Sequence, residues 1–437
     1  MLKSWIASLT RWLDGRGWAE PPVIELTHRY TPPAAPVVDL PADPAPASTA
    51  TRLIGDRRRI ADTFDAARPV RTRGELFGRA VELDHLLAAT LDFHQHAVIH
   101  GARGSGKTSL VRVLGEHADE SGAVVLYFAC EPHATFADII RLYLDALPPA
   151  AFAPGGQRAF AQKLEQMPEN FGPRAFVDLV ADRVTAPTIL IFDEFDRIED
   201  PSVKSDVAAA MKLLSDALVP VLFVLVGIAR TVSDVVAGHP SLRRHMRIVS
   251  LGRIGADSVD ALIARGEANT GVRFDTDARA MIADAACGSP YHLRMLAGHS
   301  SLAAVSSDAD IVTKAHTRTG FVDAFSHWAQ MNEPDARLFA KVVLGCTLEQ
   351  RDALEALARA AATMDVVLLD TDRYDRAISM LDPALVRERG NDGEDDGVYF
   401  RDSTAPQMLI ALLMTTPVST TAARLGAPQE SNLANTR

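Results

Sequence analysis

Eight consecutive residues hold the densest chemistry in this chain: Gly101-Ala-Arg-Gly-Ser-Gly-Lys-Thr108. They fit the spacing G-x-x-x-x-G-K-[ST] without a mismatch. A triphosphate is a dense anion, and glycines let successive backbone N–H groups turn inward at it. Gly104 and Gly106 permit backbone angles that a side chain forbids. The helix expected to follow adds its positive N-terminal end. In that frame Lys107 neutralises the β- and γ-phosphates, and the Thr108 hydroxyl holds Mg²⁺. Gly101, Ala102, Arg103, Ser105 and Ser109 complete the contact segment.

A second cluster lies downstream, in Thr188-Ile-Leu-Ile-Phe-Asp-Glu194. An apolar strand there ends in two carboxylates. Asp193 is placed to coordinate Mg²⁺, and Glu194 to polarise a water that attacks the γ-phosphate. Together the two motifs describe a Mg-nucleoside-triphosphate site. Their order and separation make a chance match of either one implausible.

The elements that must position these residues can be read around them. Val98–Gly101 is a buried strand, and Lys107–His117 a helix. Ala123–Ala129 is a fully apolar run bounded by Ser121-Gly122, as a strand of a covered parallel sheet should be. Ala134–Leu147 is helical. Val219–Gly227 is another buried strand whose end, Ile228-Ala-Arg-Thr231, should face the γ-phosphate, with Arg230 and Thr231 as candidate sensors. Ser241-Leu-Arg-Arg-His-Met-Arg247 precedes a last strand, Ile248–Leu251. From Gly255 to about residue 305 the pattern is helical, and Gly288-Ser-Pro-Tyr-His-Leu-Arg294 opens a helix near the nucleotide. The C-terminal third reads as a separate unit: a helix at Thr347–Thr363, another at Tyr374–Leu385 with Ile378 and Leu381 inward, an acidic turn at Gly390–Gly397 and a strand at Val398–Asp402.

Composition narrows the setting. The 437 residues are 47% hydrophobic and 23% charged, which suits two or three globular domains. A formal charge of −11 argues against a surface coated for nucleic acid. The three cysteines are far apart and show no metal-ligand spacing. No apolar run reaches the roughly 18–20 residues needed to cross a membrane, and no secretory signal is convincing, so a cytoplasmic setting is expected. Leu2, Trp5, Ile6, Leu9, Trp12 and Leu13 recur at helical spacing, and three of the four tryptophans fall in this stretch. It reads as a helix that docks on a partner, on a membrane surface or on the protein's own core. Prolines at 21–22, 32–36 and 41–46 then mark an extended linker.

The whole resembles an AAA+ ATPase of the origin-recognition/STAND-like branch. The residues carrying the resemblance are Phe77-Gly-Arg79, Gly101–Thr108, Ile189–Glu194, Gly227–Arg230, His239-Pro-Ser-Leu-Arg-Arg244 and Gly288-Ser-Pro-Tyr291. It implies an α/β fold, a P-loop parallel sheet sandwiched by helices, with a helical lid and a C-terminal winged-helix-like domain. Six segments follow: an N-terminal helix at 1–18, a Pro/Ala-rich linker at 19–50, a nucleotide-binding core at 51–254, a lid at 255–335, a winged-helix-like domain at 336–414 and a disordered tail at 415–437. ATP or ADP with Mg²⁺ is the expected ligand, with Phe77 and Pro290 beside it. Arg243 or Arg244 could reach a neighbouring subunit's site. Two features depart from the family. Tyr291 stands where a sensor arginine is usual, with His292 and Arg294 nearby, so hydrolysis is expected to be slow. The wing carries Asp392, Glu394, Asp395 and Asp396, which phosphates repel.

The resemblance therefore implies an ATP-hydrolysing switch that couples nucleotide state to a protein partner or to assembly of a homo-oligomer. The alternatives are an ATP-dependent DNA-binding initiator or regulator and, least favoured because Lys107, Asp193 and Glu194 are intact, a nucleotide-locked scaffold.

Overall fold

Alternation along a few apolar strands builds the core of this protein. In the computed structural model, which describes residues 49–228, 240–364, 366–369, 372–389 and 395–417, five strands run parallel in the order β2-β3-β4-β1-β5. These are β1 His96–Gly101, β2 Val124–Ala129, β3 Thr188–Asp193, β4 Val221–Gly227 and β5 Met246–Leu251. Successive side chains point to opposite faces of a strand. Accordingly Ala97, Ile99, Ile189, Ile191, Val224 and Val226 join one buried cluster, while Val98, Leu190, Phe192, Phe223 and Leu225 join another. The helix expected at 1–18, the linker expected up to residue 48, Arg230, Thr231, His239, the acidic turn expected around 390–394 and the tail expected from 418 lie outside the described residues.

Helices cover both faces. After α1 (Thr49–Thr63), α2 (Ala80–Leu87) and α3 (Lys107–Glu120) pack on the first cluster through Leu83, Leu86, Leu110, Val111 and Leu114. On the opposite face α4 (Phe136–Ala146), α5 (Gly156–Glu165), α6 (Pro173–Val180) and α7 (Pro201–Asp216) bury Ile140, Tyr143, Phe160, Phe176, Val207 and Met211. The expected sandwich is therefore present. One strand differs from its sequence reading. β2 is an edge strand, and Val125 through Phe128 are only half-buried. An apolar run looks the same at an edge as in a sheet's centre when helices and long side chains cover the edge; here Arg112 lies over the Tyr127 ring at 4.4 Å.

Beyond the sheet come α8 (Ala256–Thr270), β6 (Arg273–Phe274), α9 (Thr276–Ala286), α10 (Pro290–Ser306), β7 (Ile311–Val312) and α11 (Lys314–Met331). The chain continues through α12 (Glu333–Gly345), α13 (Leu348–Ala361), β8 (Val367–Leu368), α14 (Asp375–Leu381), β9 (Leu385–Arg389), β10 (Asp395–Phe400) and α15 (Ala405–Thr415). Strands β8, β10 and β9 form a small antiparallel sheet in that order. Ile378 and Leu381 of α14 are buried as the sequence pattern requires.

The C-terminal third is less separate than its sequence suggests. One continuous cluster of buried side chains runs from Ile60 and Phe64 through the α8–α11 helices to Leu354, Val398 and Leu413. Its centre is α15, a helix the sequence reading did not single out. Residues Ala405 through Leu413 of α15 are all buried. A helix apolar all round has no periodic signal to read, because it is surrounded rather than docked on one face. Its end also reaches into the segment expected to be a tail, where Thr415 and Thr416 are buried.

Candidate functional site

Parallel strands deliver their loops to one end of the sheet, so the ends of β1 and β3 meet there with β4 between them. The loop after β1 turns through two glycines in the left-handed region, Gly104 at φ 77° and Gly106 at φ 94°. A side chain at Gly104 would be strained twice, since a Cβ there would stand 2.8 Å from Ser289 Oγ. Helix α3 opens at Lys107 and aims its N-terminal amides at the loop. Lys107 Nζ donates to the carbonyls of Gly101 at 2.6 Å and Ala102 at 3.1 Å.

The two sequence motifs touch. Thr108 Oγ1 donates to Asp193 Oδ2 at 2.9 Å, across 85 residues of chain. The other carboxylate oxygen accepts from the Glu194 amide at 2.9 Å. A third donor was not foreseen: the Tyr127 hydroxyl, from edge strand β2, also bonds Asp193 Oδ2. Burial and the carboxylate together push the Tyr127 pKa up, so it remains a donor. The neighbouring Cys130 thiol is pushed up to about 12 by burial and by Asp193, Asp196 and Glu194, which leaves it unreactive.

Glu194 sits just past β3 with φ at 54°, a left-handed angle uncommon for a residue with a side chain. That turn lifts its carboxylate out of the strand, where it is half-exposed and pairs with Arg197 at 2.7 Å. The pairing raises the Arg197 pKa.

Two further supports hold the loop. Arg79, at the start of α2, is 3% exposed and donates to the carbonyl of Ser105 at 3.0 Å and to that of Gly252. Its charge is balanced by Glu82 at 3.1 Å. Ser289, the N-cap of α10, donates to the Gly104 carbonyl at 3.1 Å. Ser109 Oγ accepts from the Val70 amide at 3.2 Å, and both residues line the same cavity.

These walls enclose a cavity of about 380 Å³, lined by Phe77, Arg79, Arg103 through Ser109, Asp193, Glu194, Arg197, Pro290, Tyr291 and Arg294 among others. That volume suits a small-molecule ligand. Phe77 and Arg294 also line an adjoining cavity of about 340 Å³. Of the sequence-derived contact residues, Gly101 and Ala102 do not line the first cavity, and Ala102 faces a third of about 190 Å³ against the C-terminal unit. Arg294 joins the wall although it stands three residues past Tyr291; burial lowers its pKa against the pull of Glu75 and Asp65.

Arg243 and Arg244 are exposed, in a short turn at Pro240–Arg244 that leads into β5. His96 pairs with Met246 at one end of the β1–β5 ladder and Gly101 with Leu251 at the other. The arginines therefore stand a strand's length, roughly 15–20 Å, from the phosphate loop of their own chain. They do not join its cavity.

Residues 75–224 match the AAA ATPase domain family, a stretch that holds both the loop and the acidic strand end. The chain carries an AAA-type P-loop ATPase domain. No curated protein matches the sequence. Among solved structures the chain is similar to a Walker-type ATPase of Pyrococcus abyssi, at 16% identity and TM-score 0.49, over 80% of this chain and 99% of that one. It is also similar to Cdc6p of Pyrobaculum aerophilum, at 16% identity and TM-score 0.44, over 81% of this chain and 97% of that one. The Orc1 protein of Aeropyrum pernix, solved in complex with DNA, stands at 17% identity and TM-score 0.41, over 77% and 93%. The assignment rests on the family match and the site, not on these distant likenesses.

Sequence reasoning missed Arg79, Tyr127, Arg197 and Ser289 as parts of the site. Arg79 and Ser289 lie within quoted motifs, but their partners are 26 and 185 residues away. No local pattern encodes such a pairing. Among the described residues no helix is long and apolar enough to cross a membrane, and no group of three His, Cys, Asp or Glu could hold a metal ion.

Proposed function

We propose that the AAA-type domain binds ATP with Mg²⁺, hydrolyses it, and uses the change of state to alter the chain's contacts with protein partners or with further copies of itself. The observation that carries the reading is the Thr108–Asp193 pair beside the phosphate loop. A hydroxyl and a carboxylate are hard oxygen donors, the kind Mg²⁺ takes together with waters and substrate phosphates. Thr108 and Asp193 would hold the ion, which when bound neutralises phosphate charge.

The chain's own residues divide the remaining work. The amides of Gly104 through Thr108 and the Lys107 ammonium receive the phosphates. Phe77 and Pro290, which both line the cavity, are proposed to contact the base. Glu194 takes the proton of the attacking water as its oxygen bonds the γ-phosphorus and the bond to ADP breaks. Before that it must release Arg197. This supports slow turnover in the isolated chain.

Arg243 and Arg244, remote from their own loop but exposed, are proposed to act on a neighbouring copy. The winged-helix reading of residues 336–414 is supported by α12 and α13, then β8, α14 and the antiparallel β9–β10 pair, whose strands share one small sheet, and a protein partner is favoured there by the net charge of −11. The test is ATP turnover and fluorescent-nucleotide binding by the wild-type chain and by Lys107→Ala and Glu194→Gln. Lys107→Ala should lose binding, and Glu194→Gln should bind without turnover. Salt-sensitive, ATP-dependent DNA binding in a mobility assay would replace the protein-partner reading with an initiator-type one.

A further inference from the structure

Beside the Arg359–Asp284 ion pair, which ties α13 to α9, a short run of polar groups at the start of α10 lies between the phosphate loop and the C-terminal unit. Ser289 Oγ donates to the Gly104 carbonyl at 3.1 Å and lies 2.9 Å from His292 Nδ1. His292 is completely buried, and its far nitrogen, Nε2, has no hydrogen-bond partner. The turn after β10 lies close enough to this ring for Asp402 and the Thr404 backbone to act on it. There Asp402 accepts from the Thr404 amide and hydroxyl, both at 2.8 Å, and from Trp328 Nε1 at 2.9 Å. Trp328 thus fixes this turn to α11.

Counting protons shows why the run is sensitive. Ser289 has one hydroxyl proton and two claimants, the Gly104 carbonyl and a bare His292 Nδ1. Burial holds the ring neutral, lowering its pKa to about 3 against the opposing pull of Asp402 and the Thr404 backbone. A neutral ring carries one proton. With that proton on Nδ1, the ring donates to Ser289, and Ser289 donates to Gly104. With it on Nε2, Nδ1 is bare and draws the serine proton away from the loop. An acceptor near Nε2 is what favours the protonated ring, and the Thr404 backbone acts on the ring in that sense.

We propose that Ser289 and His292 are positioning residues that couple the phosphate loop to the Asp402–Thr404 turn, so that movement of the C-terminal unit alters how firmly the Gly104 carbonyl is held. The proposal rests on the reading of the loop as a nucleotide site. Its structural half, the coupling, holds without nucleotide. By reciprocity, nucleotide at the loop then shifts the C-terminal unit.

The test is hydrogen–deuterium exchange of the full chain, first without nucleotide, in Ser289→Ala and His292→Asn. Asparagine keeps a donor near the Nδ1 position and loses Nε2. Exchange should speed up by about fivefold or more at both ends, residues 101–108 and 402–407, with α11 and the part of α10 beyond its first, capped turn unchanged. Adding Mg-ATP should then alter exchange at 402–407 in the wild type, and this response should be lost in both variants. Faster exchange confined to residues 288–293, or spread evenly over α10 and α11, overturns the proposal. Ser289→Ala keeps it falsifiable should His292→Asn fold poorly. A wild type that binds no ATP removes the proposed function, while the nucleotide-free exchange still decides the coupling.

Discussion

Replacing Arg79 with methionine tests whether a buried cation frames the phosphate loop. Its guanidinium serves two backbone carbonyls, Ser105 and Gly252, which belong to the loop and to the segment after β5. Methionine fills much of the volume and donates nothing. Ser105 is buried, so its carbonyl left without a donor costs about 1–3 kcal/mol, whereas Gly252 is exposed and water can replace its donor. The loss is offset in part, because burial already disfavours the charge, as its lowered pKa shows, and because Glu82 is freed to reach water. A net loss of about 1–2 kcal/mol remains, which corresponds to a fall of about 2–6 °C in the unfolding temperature of a domain this size. Lysine, with one ammonium instead of a planar fork, reaches one carbonyl at a time and should fall between methionine and wild type. Thermal unfolding followed by circular dichroism measures the first effect, and titration with a fluorescent ATP analogue measures loosening of the loop, expected to weaken binding about tenfold. Unchanged unfolding and affinity in Arg79→Met would refute this account of the loop's support.

Other expectations follow from the same contacts. Glu194→Gln should keep nucleotide affinity and lose roughly 100-fold or more in turnover. Arg197→Ala frees the Glu194 carboxylate from a half-exposed pair, so turnover should rise, by no more than about fivefold given the weakness of such pairs; a fall would show that the pairing helps catalysis. Tyr127→Phe removes one competitor for Asp193 Oδ2 and should lower the Mg²⁺ concentration that half-saturates nucleotide binding by about threefold; an unchanged or higher requirement contradicts the geometry. His96, held at about pKa 4 by burial, and His292, at about 3, both stay neutral in the folded chain. Imidazoles in the unfolded chain titrate near 6.5, so stability is full above that pH and declines as pH falls towards 4. Denaturation at pH 5 should show a loss of about 2 kcal/mol for each ring relative to pH 7, and a flat profile would be evidence against burial of these rings as neutral species.

The site was legible in the sequence to the extent that it is local. A glycine loop, its lysine and threonine, and an apolar strand ending in Asp193-Glu194 each lie within about eight residues, and the types alone specify the chemistry. The elements behind them were legible too, because helical and strand periodicities are short-range signals. What sequence did not show are relations between distant segments. Tyr127 reads as one more apolar strand residue until β2 is set beside β3, and only then does its hydroxyl meet Asp193. Ser289 lies in a motif that reads only as the opening of a helix, and its bond to Gly104 depends on α10 starting beside the loop. Helix α15 failed for a different reason: buried on every side, it has no polar face to set a period. The continuity of the buried cluster between the α8–α11 helices and the C-terminal strands went unread with it, since α15 lies within that cluster. Arg243 and Arg244 were legible as an exposed basic pair. Their distance from their own loop follows from the parallel register of β1 and β5, which no sequence pattern carries.

The central claim is that the cavity between the loop and the lid is a Mg-ATP site. Equilibrium titration of the full chain with ATP, with and without Mg²⁺, tests it most directly when run beside Lys107→Ala and Thr108→Ala. The account predicts one saturable site per wild-type chain, loss of binding in Lys107→Ala, and loss of the Mg²⁺ dependence in Thr108→Ala. Binding by Lys107→Ala at wild-type affinity would contradict it.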